Sequence, residues 1–191
     1  VIPMRGWRRD MSFEDTGLPW IPTSPNIPEG TTPWYYPTTG LIGELQLVNI
    51  GIGYTLPFKI IGAPWIKAKA LTTQLKAQKL PGVAFFPFYF RPFYGRFVGE
   101  DCEGVMIAVT DHQKFKPLET QFAILGLSKS LYPKAFAEAL AACQDRKEMF
   151  CKVNGTERVY DILKSEKYPS WKLRQIDKDQ RSKFLTLREQ Y

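Results

Sequence analysis

The sequence contains a single histidine and only three cysteines among its 191 residues. One histidine, His112, excludes a metal site built from several histidines, and a serine–histidine triad would depend on this residue alone. The cysteines Cys102, Cys143 and Cys151 cannot all pair with one another, and none has the C-x-x-C spacing of a zinc or thioredoxin motif. We therefore expect neither a metal nor another cofactor, while a disulfide between two of the three cysteines stays open.

Long apolar runs are also missing. No stretch approaches the roughly 18 apolar residues that a membrane-spanning helix requires, so no membrane span is expected. The chain starts Val1-Ile2-Pro3-Met4, without an initiator methionine or the charge–apolar–small pattern of a signal peptide. This start is typical of the middle of a strand. We expect the chain to be part of a longer protein, with its targeting segment outside this sequence.

Positive charges exceed negative charges by seven, which is compatible with a nucleic-acid or anionic-surface partner. The basic residues are scattered, however, between the start, one predicted helix near residue 70, and an end segment that also contains acidic residues. Such runs usually form solvated helix faces. A nucleic-acid partner is therefore not favoured, whereas an anionic polymer stays open, and peptidoglycan is one.

Proline and tryptophan, in contrast, are concentrated near the start. Nine of the fifteen prolines and four of the five tryptophans fall within the first 65 residues. Each proline restricts its own φ and the residue before it, which opposes regular structure and favours a rigid loop. Aromatic residues such as Trp20, Trp34 and Trp65 are too apolar for a disordered segment. The pattern predicts an ordered aromatic loop wall, and long ordered loops commonly bind ligands.

Strands early and helices late predict one domain with an α+β (mixed α/β) fold, in which helices pack on a small, mostly β-sheet layer after a long Pro- and aromatic-rich loop region. Predicted strands occupy 1–4, parts of 43–58 around a Gly-x-Gly bend, 83–93 and 104–110. Predicted helices cover 66–80, a segment from Pro117, 134–149, 157–166 and 172–190. The last helix is expected to bury one apolar stripe, made of Leu173, Ile176, Phe184 and Leu187.

Polar residues beside the loop region are candidates for ligand binding. The carboxylate of Glu44 would either hydrogen-bond sugar hydroxyls or form a salt bridge with an arginine. Asn26 and Asn49 can donate and accept hydrogen bonds at once, as polyol recognition requires, but either amide could instead satisfy turn backbone. Loop aromatics can stack on sugar faces. His112, in contrast, is expected to be an ordinary loop histidine at a strand end.

Several blocks of residues follow one another in an order that is specific as a set. They are Thr16-Gly17-Leu18-Pro19-Trp20, Ser24-Pro25-Asn26-Ile27-Pro28, Tyr36-Pro37-Thr38-Thr39-Gly40, Gly62-Ala63-Pro64-Trp65, Leu80-Pro81-Gly82-Val83, Cys102-Glu103-Gly104-Val105 and Val109-Thr110-Asp111. With Asn154-Gly155-Thr156 and the end from Arg188 to Tyr191, they make the sequence similar to the NamZ-type exo-β-N-acetylmuramidase family, long catalogued as a domain of unknown function. The resemblance spans nearly the whole chain.

This resemblance implies that residues 1–191 form one domain, the C-terminal half of a two-domain enzyme. Residues 1–40, a strand plus the Pro-rich loop, would face a Rossmann-like N-terminal half. That half carries the family's catalytic glutamate in a Ser-Pro-Glu-His-Gly-like stretch, which this chain lacks. The parent would be a bacterial glycoside hydrolase of cell-wall recycling that releases terminal N-acetylmuramic acid from cell-wall glycan fragments, in the periplasm or outside the cell. This chain alone would contain no catalytic residue and would be inactive.

The chain would then shape the substrate site. We expect six residues to bind substrate: Asn26, Tyr36, Glu44, Asn49, Tyr54 and Thr55. The family commonly has Ser and Glu-Gly-Arg-Gly at Asn49 and at 50–53, where this chain has Ile50 and Ile52, and a histidine at Ala108. These departures argue against a charged substrate contact at this loop and indicate an altered specificity. Two alternatives stay open: a non-enzymatic module that binds an anionic glycan or a nucleic acid, and a purely structural partner domain.

Overall fold

A three-stranded antiparallel sheet lies at the centre of the fold. The computed structural model describes residue 2 and residues 4–189. The strands are β1 (Ile60–Ala63), β2 (Val83–Phe90) and β3 (Cys102–Val109), in the spatial order β1-β3-β2. The central strand β3 has apolar clusters on both of its faces, which accounts for its continuous apolar sequence. The strands predicted over 83–93 and 104–110 are confirmed.

The helices that follow the sheet complete the main core. A helix predicted over 66–80 is confirmed as α3 (Ala68–Ala77), which packs on β2 and β3 through the buried Leu71 and Leu75. The later helices are α4 (Pro117–Leu131), α5 (Pro133–Ala142), α6 (Lys147–Asn154), α7 (Arg158–Ser165), α8 (Ser170–Gln175) and α9 (Lys178–Arg188). Helix α4 contacts α3, α5, α7 and α8 and is the central helix. The predicted α+β class is therefore confirmed.

The proline-rich start forms an ordered loop. From residue 4 to residue 31 the described chain consists of turns and bends, with one 3₁₀ turn at Glu14–Thr16. The indole N–H of Trp20 donates to the Ile27 carbonyl at 3.3 Å, and its ring packs edge-on against Phe13. Tryptophan thus orders the loop, as the sequence predicts. The strand predicted over 1–4 falls partly on Val1 and on residue 3, which lie outside the described residues.

A short helical segment replaces the last part of the predicted loop. It consists of α1 (Thr32–Tyr35), a π-helical turn (Tyr36–Gly40) and α2 (Leu41–Gly43). The prediction of loop for 32–40 is wrong because Thr32, Thr38 and Thr39 are buried, where a helix satisfies their backbone groups. π-Helical turns are rare and frequently lie at functional sites.

The strands predicted within 43–58 are wrong. The segment forms turns, and its one ladder contact is a bridge between Asn49 and Gly62. Extended backbone is prevented by positive φ at Gln46, Gly51, Gly53 and Phe58.

The two longest predicted C-terminal helices are each divided. The stretch 134–149 becomes α5 and α6, separated by a 3₁₀ turn at Gln144–Arg146, and 172–190 becomes α8 and α9, separated at Asp177 in the left-handed region. The predicted buried stripe is correct for Leu173, which is fully buried. It is wrong for Phe184 and Leu187, which are more than half exposed because α9 turns away from the core.

Candidate functional site

A cavity of about 620 Å³ opens beside the helical segment 32–43. Five chain segments form its wall: the proline-rich loop, the π-helical turn with α2, the loop before β1 at 46–58, the turn at residues 95–96 and the turn at residue 146. Four of the six predicted substrate-binding residues line it, namely Asn26, Tyr36, Glu44 and Asn49. The structure therefore brings together residues that the sequence singled out from separate segments.

Tyr36 supplies the aromatic surface of this cavity. It starts the π-helical turn, and its ring lies 4.8 Å from the ring of Phe58, centre to centre. Gly40, one turn later, allows this packing, since a Cβ there would lie 3.2 Å from the Tyr36 ring. The tyrosine is 46% exposed, and its hydroxyl has no hydrogen-bond partner among the described residues. The ring is thus held in place while its edge and hydroxyl stay available to a ligand.

Glu44 caps the end of α2 and faces Arg146. Its Oε2 atom lies 3.9 Å from Nη2 of Arg146, which is longer than a hydrogen bond, and both side chains are 35% exposed. A loose, partly exposed ion pair of this kind is weak. Glu44 therefore has the arginine neighbour of one alternative. The other alternative, a hydrogen bond to a sugar hydroxyl, stays a prediction for this cavity-lining carboxylate.

Asn49 acts inside the wall. Its side-chain amide donates to the carbonyls of Ile52 and Arg96 at 3.0 and 2.9 Å, and its Oδ1 atom accepts from the N–H of Gly51 at 2.8 Å. The residue is 2% exposed. Its amide therefore satisfies turn backbone, the second of the two roles the sequence allowed. It positions the residues around it rather than offering free hydrogen-bonding groups.

Asn26 is different. Its backbone N–H donates to the Ser24 hydroxyl, but its side-chain amide has no hydrogen-bond partner among the described residues. The residue is half-buried at the cavity wall. This amide can therefore donate to and accept from a polar ligand.

Tyr54 and Thr55 lie outside the cavity. The glycine-rich turn reverses the chain, with the N–H of Tyr54 donating to the Gly51 carbonyl, and directs both side chains away. The Tyr54 ring packs against Phe90 on the other face of the sheet, at 5.4 Å, and Thr55 is exposed. The structure thus separates these two predicted residues from the other four.

Two arginines line the cavity that sequence reasoning missed. Arg96 lies in the loop between β2 and β3, and Arg146 ends the 3₁₀ turn between α5 and α6. Nothing local distinguishes them among the 26 basic residues of the chain. The fold brings Arg96 to this wall through the bond from Asn49 to the Arg96 carbonyl and the bond from the Phe93 N–H to the Gly53 carbonyl.

Isoleucines form the apolar part of the wall. Ile50 is buried and Ile52 is half-buried, and both line the cavity. Ile50 packs against Gly43, where a Cβ would lie 2.3 Å from the Ile50 Cδ1 atom. This loop therefore presents no charge, as the sequence predicts, and the cavity's positive charge comes from other segments.

The remaining titratable candidates have structural surroundings. His112 lies in the turn after β3 and stacks on Trp34 at 4.9 Å, so it is a loop histidine outside the cavity. Cys102, Cys143 and Cys151 are all buried and free, so no disulfide joins them. Within the described residues no group of three histidine, cysteine or acidic side chains could hold a metal ion, and no helix is long and apolar enough to cross a membrane.

Comparison with protein families identifies the family of this chain. Residues 34–191 match the family described as the C-terminal domain of exo-β-N-acetylmuramidase NamZ, and residues 1–31 match the N-terminal domain of the same family. The chain therefore belongs to the NamZ family. The boundary between the two matches falls at the start of α1, where the proline-rich loop ends.

Individual relatives extend this assignment. The chain is 40% identical over 136 residues to the peptidoglycan β-N-acetylmuramidase NamZ of Bacillus subtilis (strain 168), a match that covers 71% of this chain and 33% of that protein. A crystal structure of a DUF1343 family protein from Bacteroides fragilis superposes with a TM-score of 0.80 at 35% identity, covering 88% of this chain and 43% of the other. The chain thus spans about a third of the first relative and less than half of the second.

Proposed function

We propose that this chain is the substrate-shaping part of a peptidoglycan-directed exo-β-N-acetylmuramidase. In this proposal the cavity holds the terminal N-acetylmuramic acid of a cell-wall glycan fragment. A Rossmann-like N-terminal half supplies the catalytic residues, and the enzyme works in the periplasm or outside the cell. The observation that carries the proposal is the cavity itself, which collects an aromatic ring, a free amide and charged side chains in a chain of the NamZ family.

The composition of the wall suits a sugar. Tyr36 offers an aromatic ring, Asn26 offers an unpaired amide, and Ile50 and Ile52 offer apolar surface. Ligand sites commonly combine apolar and aromatic surface with a few placed polar groups that fix orientation. A pyranose ring has both an apolar face and hydroxyl edges, so it can use all of these groups at once.

The same wall cannot complete glycoside hydrolysis. Glycosidases commonly place two carboxyl groups on either side of the scissile bond, about 5–9.5 Å apart. Among the described residues that line the cavity, Glu44 is the only carboxylate. We therefore assign to this chain the binding and orientation of the sugar, and to the N-terminal half the proton transfers.

The test joins this chain to the N-terminal half of the Bacillus subtilis relative and measures hydrolysis of a muramic acid glycoside. Glu44→Ala should lower kcat/KM about tenfold or more, because a charged hydrogen bond to the substrate is worth about 1.5–3 kcal/mol. Glu138→Ala removes an exposed carboxylate of α5 outside the cavity and is the matched control. An unchanged kcat/KM in Glu44→Ala would remove Glu44 from the site.

A further inference from the structure

We propose that Arg96 and Arg146 form a carboxylate-binding subsite in the cavity, and that this subsite selects N-acetylmuramic acid over N-acetylglucosamine. The inference rests on the proposed function, since it assumes that a sugar occupies the cavity. It adds the residues that would recognise the acidic group of that sugar.

The charges of the wall are the first observation. Arg96 and Arg146 reach the cavity from different segments, and the only carboxylate on the described wall is that of Glu44. Two positive charges and one negative charge leave a net charge of +1. Glu44 forms no hydrogen bond with Arg146, because its Oε2 atom lies 3.9 Å from the Arg146 Nη2 atom. The cavity is therefore complementary to an anion.

The second observation is that both guanidinium groups have unused donors. Neither side chain donates a hydrogen bond within the described residues, whereas Arg91 is paired with Asp101 and Arg174 donates to Gln78. The Nε atom of Arg146 is buried without a partner. An arginine near a cavity with free donors can still form the two parallel hydrogen bonds that suit a carboxylate.

Arg96 is held in place by a contact that leaves these donors free. Its guanidinium lies over the Phe97 ring, 4.6 Å from the ring centre, and its carbonyl accepts from the Asn49 amide. Stacking on an aromatic face restrains an arginine through the plane of the group, so the N–H bonds at its edge remain available. The Phe97 contact therefore holds the Arg96 side chain in position while its N–H donors stay available to a ligand.

A third observation indicates that the two positive charges act on the same region. Burial raises the pKa of the Cys143 thiol; the charge of Arg96 lowers that pKa, the charge of Asp145 raises it, and the charge of Arg146 lowers it. The Cys143 thiol contacts the carbonyl of Gln46, which also lines the cavity. Arg96 and Arg146 therefore both line the cavity, and both act on the thiol that contacts the wall residue Gln46.

The chemistry of the two sugars gives the selectivity. N-Acetylmuramic acid is N-acetylglucosamine with a lactic acid group on its 3-oxygen, and the carboxylate of that group is ionised at neutral pH. N-Acetylglucosamine has only neutral hydroxyl and amide groups, so it can form no charge-assisted pair with the two guanidinium groups. A site built to bind a polar group discriminates strongly against the analogue that lacks it.

The experiment titrates the 191-residue chain with each sugar by calorimetry, at low and at high salt. N-Acetylmuramic acid should bind at least about tenfold more tightly, which is about 1.4 kcal/mol, and the difference should shrink at high salt. Arg96→Gln and Arg146→Gln should each reduce this preference without changing the affinity for N-acetylglucosamine. Arg91→Gln, a loop arginine outside the cavity, is the matched control and should keep the preference.

The outcomes separate the two proposals. Equal affinities for both sugars would overturn the carboxylate subsite and leave the proposed function standing. Equal losses of both sugars in the Gln variants, with unchanged melting temperatures, would also overturn it, because the arginines would then act only on the sugar ring. No binding of either sugar would overturn the proposed function and this inference with it. Arg146→Lys keeps the charge but loses the paired donors and should retain an intermediate preference.

Discussion

The side-chain amide of Asn49 donates to the backbone carbonyl of Arg96 at 2.9 Å, across 47 positions of sequence. This bond, together with the one from the Phe93 N–H to the Gly53 carbonyl at 2.8 Å, joins the segment after α2 to the loop between β2 and β3. A buried amide that satisfies three backbone groups is hard to replace, because each group would lose its partner. Asn49 therefore helps to hold the Arg96 loop in position.

Asn49→Ala should destabilise the fold and move the Arg96 loop. Removing the amide leaves two carbonyls and one N–H without their partners, so the free energy of unfolding should fall by about 2–4 kcal/mol. Denaturant unfolding measures this change, and the amide resonances of residues 95–97 report the loop. Asn26→Ala is the control, since its side-chain amide has no partner and its removal should change stability by less than about 0.5 kcal/mol. Equal stability losses in both variants would contradict this account.

Gly53→Ala should be strongly destabilising for a different reason. Gly53 has φ of 86°, and a Cβ there would lie 1.8 Å from the Tyr94 carbonyl oxygen, so the 91–100 loop would have to move. Gly99→Ala is matched to it, because Gly99 also has positive φ, at 75°, but nothing lies within 4 Å of its Cβ position. In the control, the free energy of unfolding should fall only by the cost of a left-handed backbone for a residue with a Cβ, which is about 1–2 kcal/mol. Thermal melting compares the two, and a Gly53→Ala variant no worse than Gly99→Ala would contradict the close contact.

The three thiols should be protected in the folded protein. Burial raises the pKa of Cys102 to about 11 and also raises the pKa of Cys143 and Cys151 above the ordinary value. At pH 8, a thiol-specific reagent should therefore label these cysteines only in molecules that have unfolded. In denaturant, all three cysteines should react. Fast labelling of the native chain would contradict their burial.

The same shifts predict how stability changes with pH. A thiol whose pKa is raised by folding keeps its proton in the native state while the unfolded chain loses it. The unfolded chain then binds fewer protons, so the free energy of unfolding should fall as pH rises from about 9 towards 11. Replacement of Cys102 by Ala should reduce this slope. A free energy of unfolding that rises over this pH range would contradict this prediction.

Helix α9 should contribute little to the core. Its apolar residues Phe184 and Leu187 are more than half exposed, and no residue of the described helix is buried. A chain that ends after Asp177 should therefore unfold within about 1 kcal/mol of the full chain. Leu173→Ala, at a fully buried position two residues before the end of α8, should instead lose about 2–5 kcal/mol. Denaturant unfolding distinguishes the two, and a large loss on truncation would show that α9 packs more tightly than the structure indicates.

The helices and strands could be predicted from the sequence wherever a local residue pattern determines them. Strands β2 and β3 and helix α3 follow from apolar periodicity and from the Pro81-Gly82 stop, which act over a few residues. The segment 43–58 was mispredicted because its backbone conformation is set by a buried amide and by positive φ at glycines, neither of which appears in a two-residue alternation. The burial of Phe184 and Leu187 on α9 was mispredicted because an apolar stripe shows only that a helix could bury one face, not that a partner covers it.

Some residues of the candidate site could be predicted from the sequence, and others could not. Glu44 could be predicted because it is a carboxylate beside the proline- and aromatic-rich loop region, and Tyr36 because it lies in a block that resembles a family. Arg96 and Arg146 could not, because they reach the cavity only after segments far apart in the chain fold together. Tyr54 was predicted with its neighbours in sequence, but a single reversed turn placed it on the other face of the sheet.

The central claim is that the cavity between the π-helical turn and the Arg96 loop is where this chain binds its sugar. The most direct test is a titration of the isotope-labelled chain with N-acetylmuramic acid, followed by two-dimensional NMR. The account predicts saturable shifts at Asn26, Glu44, Arg96 and Arg146, and none in the groove between α4 and α9 that contains Phe122 and Phe184. Saturable shifts confined to that groove, or none at all, would contradict it.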